Sequence, residues 1–275
     1  MLRPPLEVQQ PERVARLPDS MPGGMIFQAK LDGWRCVAFV DQDAVLLQAR
    51  SKRLMTDQFP EILPALATLP AGTVLDGEIC AIRDGVFDFH ALRSAPRARA
   101  AAGVAVSFVA FDLLADAGES VTDQPLEQRW AHLLARLSGA PTGLQPVLST
   151  RDRDQAERWA ETLARVGIEG IVAKDLGAPY EPGEGHGWVK MRYHGDTLDA
   201  ELLGLVGPAE RPTALRIRLE DGRELVTLGL DHRAWTQLAR DLAEAHDAPI
   251  RLEIRVTETG TRTRAKFVRV RPADP

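Results

Sequence analysis

The amino-acid sequence predicts an α+β domain over residues 1–194, followed by a small β-barrel domain over residues 195–275. In the first part, short apolar strand candidates alternate irregularly with helical segments. In the second part, short strand candidates surround a single helical stretch. The chain of 275 residues is 44% hydrophobic and 27% charged. This composition is that of a globular protein with a buried core.

The strand candidates of the first domain are short, apolar and bounded by Gly, Asp or charged residues. They are residues 25–30, 36–40, 44–47, 74–82, 104–111 and 170–173. The first two flank the turn LDGWR, so we expect Lys30 at the point where the first strand ends. The polar, proline-rich segment before residue 21 is expected to be extended.

Helical periodicity appears between these strands. Residues 58–69 follow Thr56 and Asp57, which are suitable N-caps, and residues 126–137 follow a proline. Residues 154–166 carry apolar side chains at spacings of three and four. The Ala- and Arg-rich segment 93–102 is predicted to be an exposed helix or loop.

The pattern changes after His194. Strand candidates follow one another at residues 200–206, 215–219, 224–228 and 251–257, and residues 233–245 have helical periodicity. Short strands with one inserted helix are typical of a small β-barrel.

Composition limits the classes of protein that the chain can represent. No apolar run reaches the roughly 18 residues that span a bilayer, and the start carries no signal core, so we expect a monomeric cytoplasmic protein without a membrane partner. Cys36 and Cys80 lie in apolar runs and are expected to be reduced core residues. The net charge of −5 implies that any nucleic acid is bound by local basic patches.

One short motif concentrates reactive groups at a strand end. Residues 30–35, KLDGWR, place an amine, a carboxylate and a guanidinium on a single turn. A surface hairpin would explain the same residues equally well, because Asp-Gly is a common turn dipeptide. The motif becomes informative only through the segments that follow it.

Five further motifs follow in order along the chain. They are RSKR at 50–53, LDGEI at 75–79, FVAFDLL at 108–114, EGIVAK at 169–174 and WVKMR at 188–192. With KLDGWR, this series resembles the covalent nucleotidyltransferases, which are the ATP-dependent DNA ligases, RNA ligases and mRNA-capping enzymes. It is most similar to the small two-domain ligases of bacterial DNA repair. The resemblance implies an adenylation domain of antiparallel sheets with flanking helices, followed by an OB-fold barrel.

The resemblance assigns the nucleophile to Lys30, which would carry AMP. A lysine amine is mostly protonated at neutral pH, and nearby positive charge favours the loss of that proton. Arg35, Lys174 and Lys190 are the candidates for this charge, which would also neutralise the triphosphate of ATP.

The resemblance also implies a magnesium site. Glu78 and Glu169 correspond to the acidic residues of the family's third and fourth motifs, and carboxylate oxygens are the ligands that Mg²⁺ prefers. The alternative is that both are solvated carboxylates at strand ends.

Two residues are implied in contact with the adenine base. Phe111 corresponds to the aromatic residue that stacks on the base, with core packing in this apolar segment as the less favoured alternative. Gln28 lies two residues before Lys30, and its amide suits the hydrogen-bonding edge of adenine better than that of guanine.

Several cations are candidates for contacts with phosphate. Arg50 resembles the arginine that contacts the nucleotide or the nick phosphate, with an exposed hairpin cation as the alternative. Lys190 and Arg192 are one residue apart and would point to one face of a strand, Arg192 towards nucleic acid. Arg262, Arg264 and Lys266 belong to the most basic stretch of the chain, which is either a DNA-backbone contact or a solvated barrel face.

The sequence departs from the family at its sixth motif, which ends in Asp and Lys. Ala273 and Asp274 occupy these positions, so we expect slow self-adenylation. We also expect the chain to lack the large helical DNA-clamping domain of eukaryotic and archaeal ligases.

The function that these motifs predict is ATP- and Mg²⁺-dependent sealing of nicks in double-stranded DNA. An RNA ligase or a GTP-using capping enzyme shares the first motif and the covalent chemistry. A nucleic-acid-binding protein that has lost catalysis is a third possibility, and it predicts that no covalent AMP forms.

Overall fold

The computed structural model describes residues 2–163, 166–192, 197–208, 210–230, 235–236, 238–240, 242, 250–259 and 262–271. The chain forms two compact units, Met1–Tyr193 and His194–Ala273. Ala273, Asp274 and most of the predicted helix 233–245 lie outside the described residues. Within the described part of the chain, no helix has the length and apolar character needed to cross a membrane.

The first unit is built mainly from strands. They are β1 (Gln9–Arg13), β2 (Met25–Lys30), β3 (Trp34–Val40), β4 (Val45–Ala49), β5 (Val74–Arg83), β6 (Val86–Phe87), β7 (Ala105–Asp116), β8 (Glu119–Ser120), β9 (Leu144–Pro146), β10 (Ser149–Thr150), β11 (Gly170–Asp175) and β12 (Gly183–Arg192). Every strand that the sequence predicts in this unit is confirmed, most of them with bounds shifted by a few residues.

Two sheets organise the first unit. One has the order β1-β12-β11-β2-β10, in which only the β1 and β12 pair is parallel. The other follows the path β4-β3-β5-β7-β8, with β6 paired to β5 and β9 paired to β7. The largest hydrophobic cluster draws buried side chains from both sheets and from the helices. The sheets therefore share one core, and β2 and β5 carry residues of the first and third motifs within it.

The helices of this unit are short. They are α1 (Leu63–Leu66), α2 (Pro96–Ala101), α3 (Leu126–Arg136) and α4 (Arg153–Thr162), and 3-10 turns cover Thr56–Gln58 and Phe89–Arg93. In α3, Leu126, Trp130 and Leu133 are buried, which is the spacing of one helical face. The predictions of helices near 126–137 and 154–166 are thus confirmed.

The predicted helix 58–69 is wrong over most of its length. Only Leu63–Leu66 is α-helical, and the 3-10 turn Thr56–Gln58 precedes it. Pro60, Pro64 and Pro70 lack backbone N–H donors, so a continuous helix could not keep its hydrogen bonds through this segment.

The predicted exposed segment 93–102 also needs correction at one residue. Arg99 is buried, with Nε 2.8 Å from Oε1 of Glu61 and its guanidinium 4.9 Å from the ring centroid of Phe59. Ion pairing and hydrogen bonding allow this charge to be buried, so Arg99 anchors α2 to the preceding segment.

The described strands of the second unit form one five-stranded antiparallel sheet, and residues 235–236, 238–240 and 242 of the predicted helix 233–245 are helical. Its strands are β13 (Thr197–Val206), β14 (Ala214–Leu219), β15 (Glu224–Val226), β16 (Arg251–Thr259) and β17 (Arg262–Arg271), in the order β15-β14-β13-β16-β17. Thr227 forms a bridge with Ala265, so the chain directly after β15 meets β17. The sequence prediction did not include β17, because its basic residues obscure the buried Ala265 and Phe267.

Candidate active site

The Lys30 amine lies at the end of β2 beside a carboxylate that directly precedes the neighbouring strand β11. Its Nζ is 2.5 Å from Oε2 of Glu169, and both side chains are largely buried. The backbone N–H of Glu169 also donates to the carbonyl oxygen of Lys30, at 2.9 Å. Arg192 approaches the same Oε2 at 3.8 Å. The structure therefore brings the predicted nucleophile, one predicted metal ligand and one predicted nucleic-acid contact together.

A glycine allows these strands to approach closely. Gly170 pairs with Lys30 on one side and with Arg192 on the other. A Cβ atom on Gly170 would lie 2.0 Å from the carbonyl oxygen of Met191. Only a residue without a side chain fits here, and this keeps β12 in register beside the Lys30 amine.

Further positive charge surrounds the amine. The pKa of Lys190 is lowered by burial and then by the nearby charges of Lys30, Arg192 and Arg50, while Glu184 acts in the opposite direction. Lys190 lies on β12, one residue before Met191. The predicted cations Lys190, Arg192 and Arg50 thus gather in the neighbourhood of Lys30.

Glu78 adds a second carboxylate. It lies on β5 opposite Arg35 of β3, and burial raises its pKa to about 8. Lys30 and Arg35 lower that pKa, whereas Asp32 and Glu169 raise it further. The carboxylates around Lys30 therefore repel one another, a situation that a bound cation relieves.

These carboxylates suit a hard divalent cation. Glu78 and Glu169 offer oxygen donors, which is the donor set that Mg²⁺ takes together with water and phosphate oxygens. Among the described residues, no cluster of three or more His, Cys, Asp or Glu side chains could hold a metal by itself. The residues fit a metal ion that a nucleotide helps to bind.

Arg35, one of the predicted cations of the site, is held by an ion pair with Asp76. Arg35 donates from Nε and Nη2 to the two carboxylate oxygens of Asp76, at 3.0 and 2.5 Å. Its guanidinium lies 5.1 Å from the ring centroid of Phe111 and 5.7 Å from that of Trp188. A two-point ion pair with buried Asp76 engages the charge of Arg35 and fixes its orientation.

Lys174, another predicted cation, is also held by neighbouring groups. Its Nζ donates to the carbonyl oxygen of Phe111 at 3.1 Å and lies 3.6 Å from the ring centroid of Trp188. The side chain is fully buried, and burial lowers its pKa to about 7. Lys174 therefore contacts Phe111 and Trp188. The Lys30 amine contacts a carboxylate, that of Glu169.

Phe111 and Gln28 lie together. The Gln28 side chain is buried, and its Nε2 donates to the carbonyl oxygen of Phe111 at 3.5 Å. Phe111 is only partly buried and packs edge-on against Trp188, with ring centroids 6.1 Å apart. The ring of Phe111 takes part in core packing and still retains exposed surface.

Two residues close to Arg35 and Phe111 are not among the site residues that the sequence predicts. Tyr180 is buried and donates to Asp76 at 2.7 Å, but nothing in the segment APYEPG marks it as part of a site. Trp188 is buried beneath Lys174 and Arg35. Its place at the start of the motif WVKMR is a signal that could have identified it.

In the second unit, the basic stretch lies on β16 and β17. Lys266 is exposed and pairs in register with Arg255, which is also exposed. Arg262 and Arg264 occupy alternate positions of β17, with the partly buried Thr263 between them. The side chains of Arg262 and Arg264 lie outside the described part of the structure. Two like charges directly opposite each other destabilise a sheet, and such an arrangement suits an anionic partner.

The fold of the chain matches that of solved ligases. The structure described as mycobacterial DNA ligase D complexed with ATP and MES superposes with a TM-score of 0.63 and 24% sequence identity, covering 95% of both chains. This similarity identifies the nucleotidyltransferase fold of the ligase domain, as the sequence predicts.

The sequence comparisons identify the family. The family model of the ATP-dependent DNA ligase domain matches residues 7–192. DNA ligase C2 of Mycolicibacterium smegmatis is 37% identical over 171 residues, which are 60% of this chain and 48% of that protein. DNA ligase C of Mycobacterium tuberculosis is 34% identical over 180 residues, 62% of this chain and 50% of that protein. The chain belongs to the ATP-dependent DNA ligase family, and it spans about half the length of these relatives.

Proposed function

We propose that the chain is an ATP-dependent DNA ligase of DNA repair that carries AMP on Lys30 and seals nicks in double-stranded DNA. The observation that carries this proposal is the Lys30 amine, in contact with Glu169 and close to Glu78, Lys190 and Arg192. All of these residues lie within residues 7–192, the part of the chain that the family model matches.

We assign one domain of the proposed ligase to each compact unit. We propose that residues 1–194 form the adenylation domain and residues 195–275 an OB-fold domain. The five-stranded antiparallel sheet of the second unit supports the latter, because the bridge between Thr227 and Ala265 links the two ends of its strand order.

In the first step, Nζ of Lys30 attacks the α-phosphorus of ATP. A P–N bond forms, the bond between the α-phosphorus and the bridging oxygen breaks, and pyrophosphate leaves. The amine loses its proton to water in the process. Lys190 and Arg192 supply positive charge where negative charge develops on the phosphates, which is where such charge accelerates a reaction most.

Two further transfers complete the sealing. An oxygen of the 5′-phosphate at the nick attacks the phosphorus of the lysyl-AMP, and the P–N bond breaks to free Lys30. The 3′-hydroxyl then attacks the 5′-phosphorus, which releases AMP and forms the phosphodiester bond. Both steps again need cations near phosphate, and Lys190, Arg192 and Arg50 are the candidates.

Glu78 and Glu169 would hold Mg²⁺, which would polarise phosphate oxygens and neutralise their charge. Glu169 holds the Lys30 amine at the end of β2 through their ion pair. Glu78 is partly buried, and desolvation makes its own ionisation unfavourable.

The base-binding end of the site favours ATP over GTP. We assign base stacking to the exposed surface of Phe111. Gln28 donates from Nε2 to the carbonyl of Phe111, which leaves Oε1 as its acceptor for a base. The exocyclic amine of adenine donates to such an oxygen, whereas the corresponding oxygen of guanine does not.

The duplex would be held in part by β16 and β17. Arg255 and Lys266 form an exposed pair of positive charges, and Arg262 and Arg264 continue the basic sequence along β17. Contacts of this kind bind the phosphate backbone without regard to sequence.

The experiment that tests the proposal is covalent labelling with radiolabelled ATP and magnesium, followed by a chase with nicked DNA. We expect label on the native protein, none on Lys30→Ala, and normal labelling of Lys266→Ala, which replaces an exposed lysine of the second unit outside the motifs of the adenylation domain. GTP and nicked RNA serve as comparison substrates. Labelling of Lys30→Ala, or stronger labelling by GTP, would overturn the assignment.

A further inference from the structure

Behind the proposed nucleotide site lies a buried hydrogen-bonded cluster with the Tyr180 hydroxyl at its centre. This hydroxyl donates to Oδ2 of Asp76 at 2.7 Å. It accepts from the backbone N–H of Gln9 at 3.1 Å and from Nη2 of Arg35 at 3.4 Å. A phenolic hydroxyl has one donor and two acceptor positions, so every position of this group is used.

Asp76 connects this cluster to the site. Its carboxylate is fully buried, and it accepts two hydrogen bonds from Arg35 in addition to the one from Tyr180. The guanidinium that it holds lies against the rings of Phe111 and Trp188. A change at the Tyr180 hydroxyl is therefore passed through Asp76 and Arg35 to the face of Phe111.

The N-terminal strand completes the cluster from the other side. The Gln9 side chain is fully buried, and its Nε2 donates to the carbonyl of His186 while its Oε1 accepts from the N–H of Glu181. These bonds join β1 to the end of the loop that carries Tyr180 and to β12, which follows that loop. The N–H of Gln9 is thereby held at the hydroxyl by a rigid element.

We propose that Tyr180 is a positioning residue for nucleotide binding. Its hydroxyl fixes Asp76 so that Arg35 holds Phe111 ready to stack on the purine. The inference rests on the proposed function, because it assumes that Phe111 receives the base. Tyr180 touches neither the nucleotide nor the reacting atoms, and it acts at the base-binding end of the site, away from the Lys30 amine.

The test replaces only the hydroxyl. In Tyr180→Phe, Asp76 loses a donor and Arg35 is held less firmly, so we expect about tenfold weaker binding of α,β-methylene ATP, an analogue that cannot transfer AMP. The maximal rate of AMP transfer at saturating ATP should change by less than about twofold, because an orientation effect at the base weakens ground-state binding and transition-state binding equally.

A matched control separates positioning from stability. Thr73 is also fully buried, and its hydroxyl donates to the carbonyl of Pro70 at 2.7 Å, away from the site. Thr73→Val removes a buried hydroxyl as Tyr180→Phe does. We expect both variants to lower the melting temperature, and only Tyr180→Phe to weaken binding of the analogue. Equal affinity losses in the two variants would overturn the inference.

A double-mutant cycle with Asp76→Asn tests the route. Because Tyr180 acts through Asp76, the double variant should bind the analogue no more weakly than Asp76→Asn alone. Additive losses would contradict the inference. If the native protein does not bind the analogue, the proposed function fails as well. If the native protein binds and Tyr180→Phe binds equally, only the inference fails.

Discussion

Burial shifts the pKa values of acidic and basic residues of the site in opposite directions. It raises the pKa of Glu78 to about 8 and lowers the pKa of Lys174 to about 7, because the charged form is unfavourable in each case. Arg35 and Asp76 avoid this cost by forming a two-point ion pair. The site therefore contains residues that keep their charge through a partner and residues whose charge depends on pH.

Lys174 gives a prediction at this scale. Its pKa in the folded protein, about 7, lies below the roughly 10.4 of an unfolded chain, so between these values only the unfolded state binds the proton. The unfolding free energy contributed by this residue must rise with pH across that window. Relative to Lys174→Met, the native protein should gain up to about 1.4 kcal/mol per pH unit between about pH 7 and 9.

Urea unfolding at several pH values across this range measures the difference. Lys52→Met, a change at an exposed lysine, is the control for general effects of removing an amine. A difference between native protein and Lys174→Met that stays constant with pH would show that Lys174 remains charged when folded.

At the scale of secondary structure, one close approach keeps the catalytic strands in register. Gly170 lies between Lys30 of β2 and Arg192 of β12, with no room for a Cβ atom beside the carbonyl of Met191. Because the obstructing atom belongs to the backbone, a side chain here must move a whole strand. The position of Lys190 and Arg192 thus depends on a residue that has no functional group.

Gly170→Ala should therefore destabilise the fold and impair AMP transfer together. Overpacking of this kind costs about 1–3 kcal/mol. The control is Gly204→Ala in β13, where the nearest atom to a new Cβ would be Nη2 of Arg216 at an ordinary 3.7 Å. Thermal unfolding and covalent labelling measure the two effects, and equal behaviour of the two variants would contradict this role of Gly170.

The sequence predicts the strands better than the helices, for physical reasons. Short apolar runs bounded by Gly and Asp identify β2 and β5 because both strands are buried. The segment 58–69 has suitable caps and apolar residues, but its prolines leave only Leu63–Leu66 α-helical. Strand β17 is hidden because alternate basic residues interrupt the apolar pattern.

The candidate site is predicted only in part, because motifs identify residues but not their partners. The sequence associates Lys30, Glu169, Lys190 and Arg192, and the structure brings them together. Nothing in the sequence indicates that Asp76 forms an ion pair with Arg35. That pair depends on the register of β3 against β5, which local sequence does not determine.

For the whole molecule, the net charge of −5 opposes binding to DNA, so binding must depend on local charge. In the second unit, some cations form ion pairs with carboxylates, and others follow one another along a single strand. Arg218 and Arg223 are already neutralised by Glu224 and Asp221. The strand β17 carries Arg262, Arg264 and Lys266 at alternate positions.

This difference gives a prediction about salt. Each phosphate that a cation binds contributes about 0.9 to the slope of log affinity against log salt concentration, because counterions are released. Replacing Arg262, Arg264 and Lys266 together by Gln should flatten the slope for nicked duplex by about 0.9 for each phosphate that is no longer bound. Affinity should also fall about equally for duplexes of different sequence, because phosphate contacts do not read the bases.

Binding of labelled nicked DNA at a series of salt concentrations measures the slope. The matched control replaces Arg218 and Arg223 by Gln, which removes positive charge from the same unit at positions where carboxylates already balance it. Its slope should equal that of the native protein, since few counterions are released from cations that are neutralised in advance. An unchanged slope in the triple variant, or equal flattening in the control, would move the DNA contact to another surface of the chain.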